Sequence, residues 1–203
     1  MKRLKHYFGI TYDGELVVRG IETRRHDIPS FIKQFQTQLL YTLFDDDGCK
    51  DSAEVINKGY EKALFLVTQA IDKIMTGEDI QQQDLVISKL LRQDIEKYRS
   101  LFPHVSAAIQ LSQGGRSLAK GDNIEYIYTN SQHNNPLCRV VPLELVKKEE
   151  EETKQNLPNY DKEKYREMIL DAAETVLGIF GFDRTVYEQR REEREEKNGG
   201  MKN

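Results

Sequence analysis

The sequence predicts an α+β chain, with a β-hairpin at its start and a mainly helical body carrying a few short strands. Three observations predict it. Phe8, Ile10 and Tyr12 alternate up to Asp13-Gly14, and Leu16-Val17-Val18 follows, which is the pattern of two strands around a type I′ turn. Apolar residues then recur at three- and four-residue spacing over two long stretches, 28–43 and 55–75. Beyond residue 84, proline and glycine cut the chain into shorter pieces, two of which read as strands.

The hairpin comes first. Two strands are marginal in water without further strands or a helix to pack on. No later segment offers several strands of matching length, so the hairpin is expected to complete another domain and to bury Phe8 and Ile10 there. In the first helix, Asp27 is the expected cap, Pro29 sits in the first turn, and Ile28, Phe31, Ile32, Phe35, Leu39, Leu40 and Leu43 form one face. Asp45-Asp46-Asp47-Gly48 ends it. Consecutive carboxylates point apart, so this run reads as a solvated turn and not as a metal site.

Asp51-x-x-Glu54 is a capping-box pattern that opens the second helix, whose stripe runs from Val55 to Met75, with Gly77 as the residue after its end. Leu85 to Lys89 reads as a short strand, and an amphipathic piece follows to Tyr98. A helix starts at Pro103-His104-Val105, Gly114-Gly115 breaks it, and Gly121 to Tyr128 holds a second strand. Lys147 to Glu152 is a charged link. The last long helix starts at Asp161 and closes at Gly181. The tail beyond Tyr187 is charged, lacks an apolar face and is expected to be frayed or disordered.

The chain has 203 residues, a formal net charge of −4 and two cysteines. No apolar run approaches the roughly 20 residues needed to span a bilayer as a helix, and Cys49 and Cys138 lie far apart, so a reduced, cytoplasmic protein is expected. His6, His26, His104 and His133 show no metal-ligand spacing, and no structural metal is expected. The charge is unevenly spread: net +3 over residues 1–44, −5 over 45–83, +2 over 84–142 and −4 over 143–203. A fold that gathers the first and third blocks would present a basic surface to a phosphate backbone. By itself, each basic flank reads as ordinary solvated surface.

Motif order settles the choice. Lys5-His6-Tyr7 precedes the hairpin, and Arg19-Gly20-Ile21-Glu22 runs into Arg24-Arg25-His26-Asp27 after it. Leu85-Val86-Ile87, Pro103-His104-Val105 and Gly121-Asp122-Asn123-Ile124-Glu125-Tyr126-Ile127 follow, then Tyr160-Asp161 with Tyr165, and Phe180-Gly181-Phe182. This series resembles the end of the palm and the thumb of archaeal family B DNA polymerases, from about Lys5 to Tyr187. Each motif alone is weak, and the order and spacing together are specific. One departure is that His26 stands where the family usually has the second arginine of a pair, with Arg24 as an extra residue.

The resemblance implies a palm-edge hairpin and basic connector over residues 1–26, a thumb domain over 27–187 and a tail over 188–203. It implies that Lys5, Tyr7, Arg19, Arg24, Arg25, Lys89 and His104 bind DNA, positioning duplex without reading its sequence. The family's metal-binding aspartates lie upstream of the Lys-x-Tyr motif, and Met1 comes four residues before Lys5. The expectation is therefore the small, non-catalytic subunit of a split polymerase, which would form a heterodimer with a large catalytic subunit that binds Mg2+ and carries the exonuclease, palm and fingers. No cofactor is expected in this chain. Many family members end in a clamp-binding segment with paired aromatics. This tail has none, so sliding-clamp binding through it is not expected. Two alternatives stay open: a stand-alone duplex-binding module, and a structural subunit of an inactive polymerase relative.

Overall fold

The computed structural model describes residues 7–11, 13, 15–19, 27–44, 52–146 and 159–199. The described elements are β1 (Tyr7–Ile10), β2 (Leu16–Arg19), α1 (Ser30–Leu43), α2 (Ser52–Thr76), α3 (Gln82–Leu85), β3 (Ile87–Leu90), α4 (Pro103–Gln113), β4 (Asn123–Tyr128), β5 (Val140–Pro142), α5 (Lys162–Leu177) and α6 (Arg184–Gly199). The strands make two separate sheets, β1-β2 and β3-β4-β5. The chain divides into two compact units, one of Met1–Arg24, Ile32–Thr76 and Arg166–Asn203, the other of Arg25–Phe31 and Gly77–Tyr165. The fold is thus mixed helix and sheet, with helix predominating, as the sequence predicts.

In the first unit the hairpin is antiparallel, with Phe8 opposite Val18 and Tyr7 opposite Arg19. Side chains alternate between faces, so Phe8 and Val18 share one face, while Tyr7 and Arg19 share the other. Val18 is buried, and the Phe8 ring lies 6.1 Å from that of Phe44. Phe8 thus packs within this chain, where the sequence suggested a partner's surface. The outer face is open: Tyr7 is 49% and Val17 40% exposed. The two-residue I′ turn expected at Asp13-Gly14 is not what the register allows: Ile10 pairs with Leu16, and the Thr11 amide donates to the Glu15 carbonyl at 2.9 Å, so three residues separate the paired positions. Gly14 itself lies outside the described residues, as do Asp51 of the second helix's capping box, the acidic run 45–47 and the charged link 147–152.

Helix α1 begins at Ser30, three residues beyond Asp27 and directly after Pro29, whose ring disfavours helical backbone at Ile28 before it. Its stripe of Ile32, Phe35, Leu39, Leu40 and Leu43 is buried, and so is the stripe of α2 that includes Ala63, Leu64, Val67, Ile71 and Ile74. Gly59 lies where α2 meets the end of α1. A β-carbon there would stand 2.3 Å from the Leu43 carbonyl oxygen, so only glycine fits without backbone movement. Gly77, at φ +83°, ends α2 in the left-handed conformation expected of the residue after a helix. Gln36, fully buried, donates from Nε2 to the Ala172 carbonyl of α5 at 3.1 Å.

The tail departs from expectation. Residues 184–199 form α6, where the composition suggested a frayed end. Asp183 caps it, with Oδ1 accepting from the Thr185 and Val186 amides at 2.9 and 3.1 Å. Tyr187 is buried, and the Arg166 guanidinium lies 5.6 Å from its ring centre. Arg190 binds both carboxylate oxygens of Glu61 on α2, and Arg194 reaches Asp72 one further stretch along. Each exposed pair contributes only about 0–1 kcal/mol. Their regular spacing along one face, with a cap and one buried tyrosine, is what composition alone does not reveal.

In the second unit β4 is central, antiparallel to β3 on one side and to β5 on the other. Ile124, Tyr126 and Ile127 of β4 are buried, and α4 packs on β4 and β5 through Val105, Ala107, Ala108 and Leu111. Gln110 of α4 donates from Nε2 to the Leu137 and Val140 carbonyls, at 2.8 and 2.9 Å, and so fixes where β5 starts. The strand expected over Leu85–Lys89 is β3 at Ile87–Leu90, because Leu85 closes the single turn of α3. That turn is held by the Gln81 amide, which donates to Asp84 Oδ2 at 3.0 Å. The start of α5 is held by Asp161, whose carboxylate accepts from the Lys164 and Ser131 amides at 2.9 and 2.5 Å. Burial opposes the charge on Asp161, but these hydrogen bonds outweigh it and leave its pKa below the usual carboxylate value.

Candidate nucleic-acid interface

Each unit carries one cluster of the residues singled out in the sequence. On the hairpin of the first unit, strand register sets Tyr7 directly across from Arg19 on the outer face, and both are exposed. Gly9, the other outer position of β1, leaves open space where a β-carbon would stand. The result is a flat strip with an aromatic ring and a guanidinium at one end. Lys5, Arg24 and Arg25 lie outside the described residues.

The second cluster forms where β3 passes the start of α4. Lys89 projects from β3, 3.5 Å from the Asp27 carboxylate, in a pair that keeps about 40% of the lysine side chain exposed. His104, in the first turn of α4, is only 6% exposed, and its Nδ1 has no hydrogen-bond partner among the described residues. The imidazole is packed between rings. Tyr98 meets it edge-on at 5.6 Å, and Phe102 lies nearly parallel to it at 6.0 Å. The Tyr98 hydroxyl accepts the Arg92 amide proton at 2.8 Å, which anchors this ring to the segment that follows β3.

Burial, and after it the positive charges of Lys89 and Arg92, hold the His104 pKa below its ordinary 6.5. At neutral pH the ring is uncharged, so what it offers a phosphate is not a positive charge. The unfolded chain takes up the proton more readily than the folded one. The stability contributed by neutral His104 is therefore full above about pH 6.5 and is lost as pH falls through the lowered folded value. Proton NMR is expected to show the His104 ring titrating below 6.5, and His104→Phe to flatten the acid side of the unfolding-midpoint profile. A titration midpoint at or above 6.5 would rule this out.

Sequence reasoning brought Lys89 and His104 forward separately, and the fold brings them together through β3 and α4. It missed Arg92, Tyr98 and Phe102, whose signal is an aromatic placed immediately before the Pro-His-Val helix start. Among the described residues, no three His, Cys, Asp or Glu side chains come together as a metal site. Among the same residues, no helix is long and apolar enough to cross a membrane. Cys138 is free and exposed.

The arrangement of a two-stranded hairpin, a helical body and a small three-stranded sheet is similar to that in the structure of the family B DNA polymerase from the hyperthermophilic archaeon Pyrobaculum calidifontis. The TM-score is 0.67 at 20% identity, covering 90% of this chain and 21% of that one. The fold is therefore one found in a DNA polymerase. The family model for DNA polymerase family B matches residues 1–178, and the chain belongs to that family. Curated relatives include the DNA polymerase of Archaeoglobus fulgidus, 31% identical over 142 residues, which cover 70% of this chain and 16% of that protein. DNA polymerase 1 of Saccharolobus solfataricus is 25% identical over 178 residues, covering 87% of this chain and 18% of that protein. The chain thus spans less than a fifth of the length of these relatives.

Proposed function

We propose that this chain grips primer–template duplex for a family B DNA polymerase, as the small subunit beside a large catalytic one. The observation that carries the reading is the family match over residues 1–178, confined to a minor share of each relative's length. In this reading Lys5, Tyr7, Arg19, Arg24 and Arg25 lie along the duplex from the hairpin side. Lys89 holds the backbone from the thumb side, and His104, buried near it, positions the start of α4 there. Such contacts set position and not sequence. The strand edges of the hairpin, unpaired within its two-stranded sheet, support docking on a partner's palm by strand addition, which leaves the face of Tyr7 and Arg19 to the duplex. The metal ions that in-line nucleotide transfer requires would be held by the large subunit.

Primer extension tests this with the chain alone, the large subunit alone, and both together. No synthesis is expected from the first, short products from the second, and a large gain in product length per binding event on mixing. Equal extension by the large subunit without this chain would overturn the subunit reading. Retention of salt-sensitive duplex binding by the chain alone would then favour a stand-alone DNA-binding module.

A further inference from the structure

We propose that Phe102 is a stacking platform for an unpaired base of single-stranded DNA, with Arg92 and Lys89 receiving the phosphates beside it. The proposal rests on the reading of this chain as a DNA-handling part of a polymerase, and it adds a second kind of strand to what the chain holds.

An exposed phenylalanine alone is unremarkable on a protein surface. Phe102 differs in how it is held. Its ring is 52% exposed, yet its backbone is fixed at the head of α4, where its carbonyl accepts the Val105 and Ser106 amides, both at 2.9 Å. One ring face is backed by the nearly parallel His104 imidazole, and that imidazole is braced in turn by the edge of Tyr98. The neighbouring Leu101 is 46% exposed and widens the apolar ledge. A ring fixed in this way loses little conformational freedom when a second ring stacks on its open side.

The cations supply the other half. Lys89 and Arg92 both lie near enough to bear on the charge of His104. Lys89 is shared with Asp27, but the exposed Arg92 guanidinium has no acceptor among the described residues. An aromatic face with cations near the ring that backs it is a combination by which proteins hold single strands, base on ring and phosphate on cation. The occupant must be unpaired, because bases in a duplex stack on one another and present only their edges to a protein side chain.

The test is fluorescence anisotropy of the full chain with a labelled oligothymidylate and with a duplex of the same length, at two salt concentrations. Phe102→Ala is expected to weaken single-strand binding by roughly five- to 150-fold while leaving duplex binding within about twofold. Phe102→Tyr should restore the affinity and Phe102→Leu should not, because leucine keeps an apolar contact but has no ring face. Arg92→Gln should weaken the single strand and reduce its salt slope by about 0.7. Full affinity in Phe102→Leu, or equal losses on single strand and duplex, would overturn the platform. Wild-type affinity in Phe102→Ala would do the same and would assign the ledge to a protein contact. If duplex binding is absent while the Phe102 series behaves as described, the duplex-grip reading fails and this one stands. Because the Tyr and Leu variants are compared with each other, the test survives a folding defect in the alanine variant.

Discussion

Gly59→Ala is expected to lower the thermal unfolding midpoint by several degrees, although the same change in an isolated helix would be stabilising. The helix-propensity gain of alanine over glycine is about 1 kcal/mol. Against it stands the new β-carbon, 2.3 Å from the Leu43 oxygen, 2.8 Å from the Leu43 carbon and 3.1 Å from its α-carbon. All three are backbone atoms, so no side chain can swing aside, and α1 must move away from α2. Overpacking of this kind costs about 1–3 kcal/mol and sometimes more, and the clash wins. Less the propensity gain, the net loss is up to about 2 kcal/mol, and at roughly 2–4 °C per kcal/mol for a chain of this size a fall of up to about 8 °C is expected. A circular-dichroism melt checks it, and a midpoint equal to or above wild type would mean that the two helices have room to spare.

Tyr165→Phe is expected to cost about 2–4 kcal/mol, a large loss for a single oxygen atom. The side chain is completely buried. Its hydroxyl donates to the Leu85 carbonyl at 2.7 Å and accepts the Tyr128 amide at 3.2 Å, so one oxygen satisfies the end of α3 and the end of β4. Removing it strands the buried Leu85 carbonyl and the part-buried Tyr128 amide, at about 1–3 kcal/mol for the first and about 1 kcal/mol for the second. Burial also pushes the phenol pKa far up, so the proton is retained and the loss should not vary with pH between 5 and 9. Denaturant unfolding of Tyr165→Phe measures it, with Tyr41→Phe as the control because Tyr41 is 47% exposed. A cost below about 0.5 kcal/mol would show that the two backbone groups find other partners.

Much of this architecture could be read from residues in order. The stripes Ile32 to Leu43 and Ala63 to Ile74 are buried as their spacing predicts, because helical periodicity is a local property. Gly77 and the Pro103 start were legible for the same reason. Three things were not. Strand β5 is three residues ending in proline, too short for a period-two signal, and its position depends on Gln110 from another element. Helix α6 depends on Glu61 and Asp72, which lie more than 120 residues away in sequence. The ring stack of Tyr98, Phe102 and His104 was hidden because a histidine in a Pro-His-Val motif looks the same whether it faces a phosphate or is covered by two aromatics. At the hairpin, alternation put Phe8 and Ile10 on one face, while the pairing of Tyr7 with Arg19 follows from the register, and what covers Phe8 is a tertiary fact about Phe44.

Tyr165 has a further consequence in the order of synthesis. The groups it joins, at Leu85 and Tyr128, are made 80 and 37 residues before it. As the chain emerges from a ribosome, β3 and β4 can pair while two of their neighbouring backbone groups still face water. The second unit therefore waits in an unfinished state until Tyr165 has cleared the exit tunnel. A ribosome pause that comes after Pro142 has left the tunnel and before Tyr165 has done so would hold the nascent chain there, with all three strands free to pair and its keystone absent.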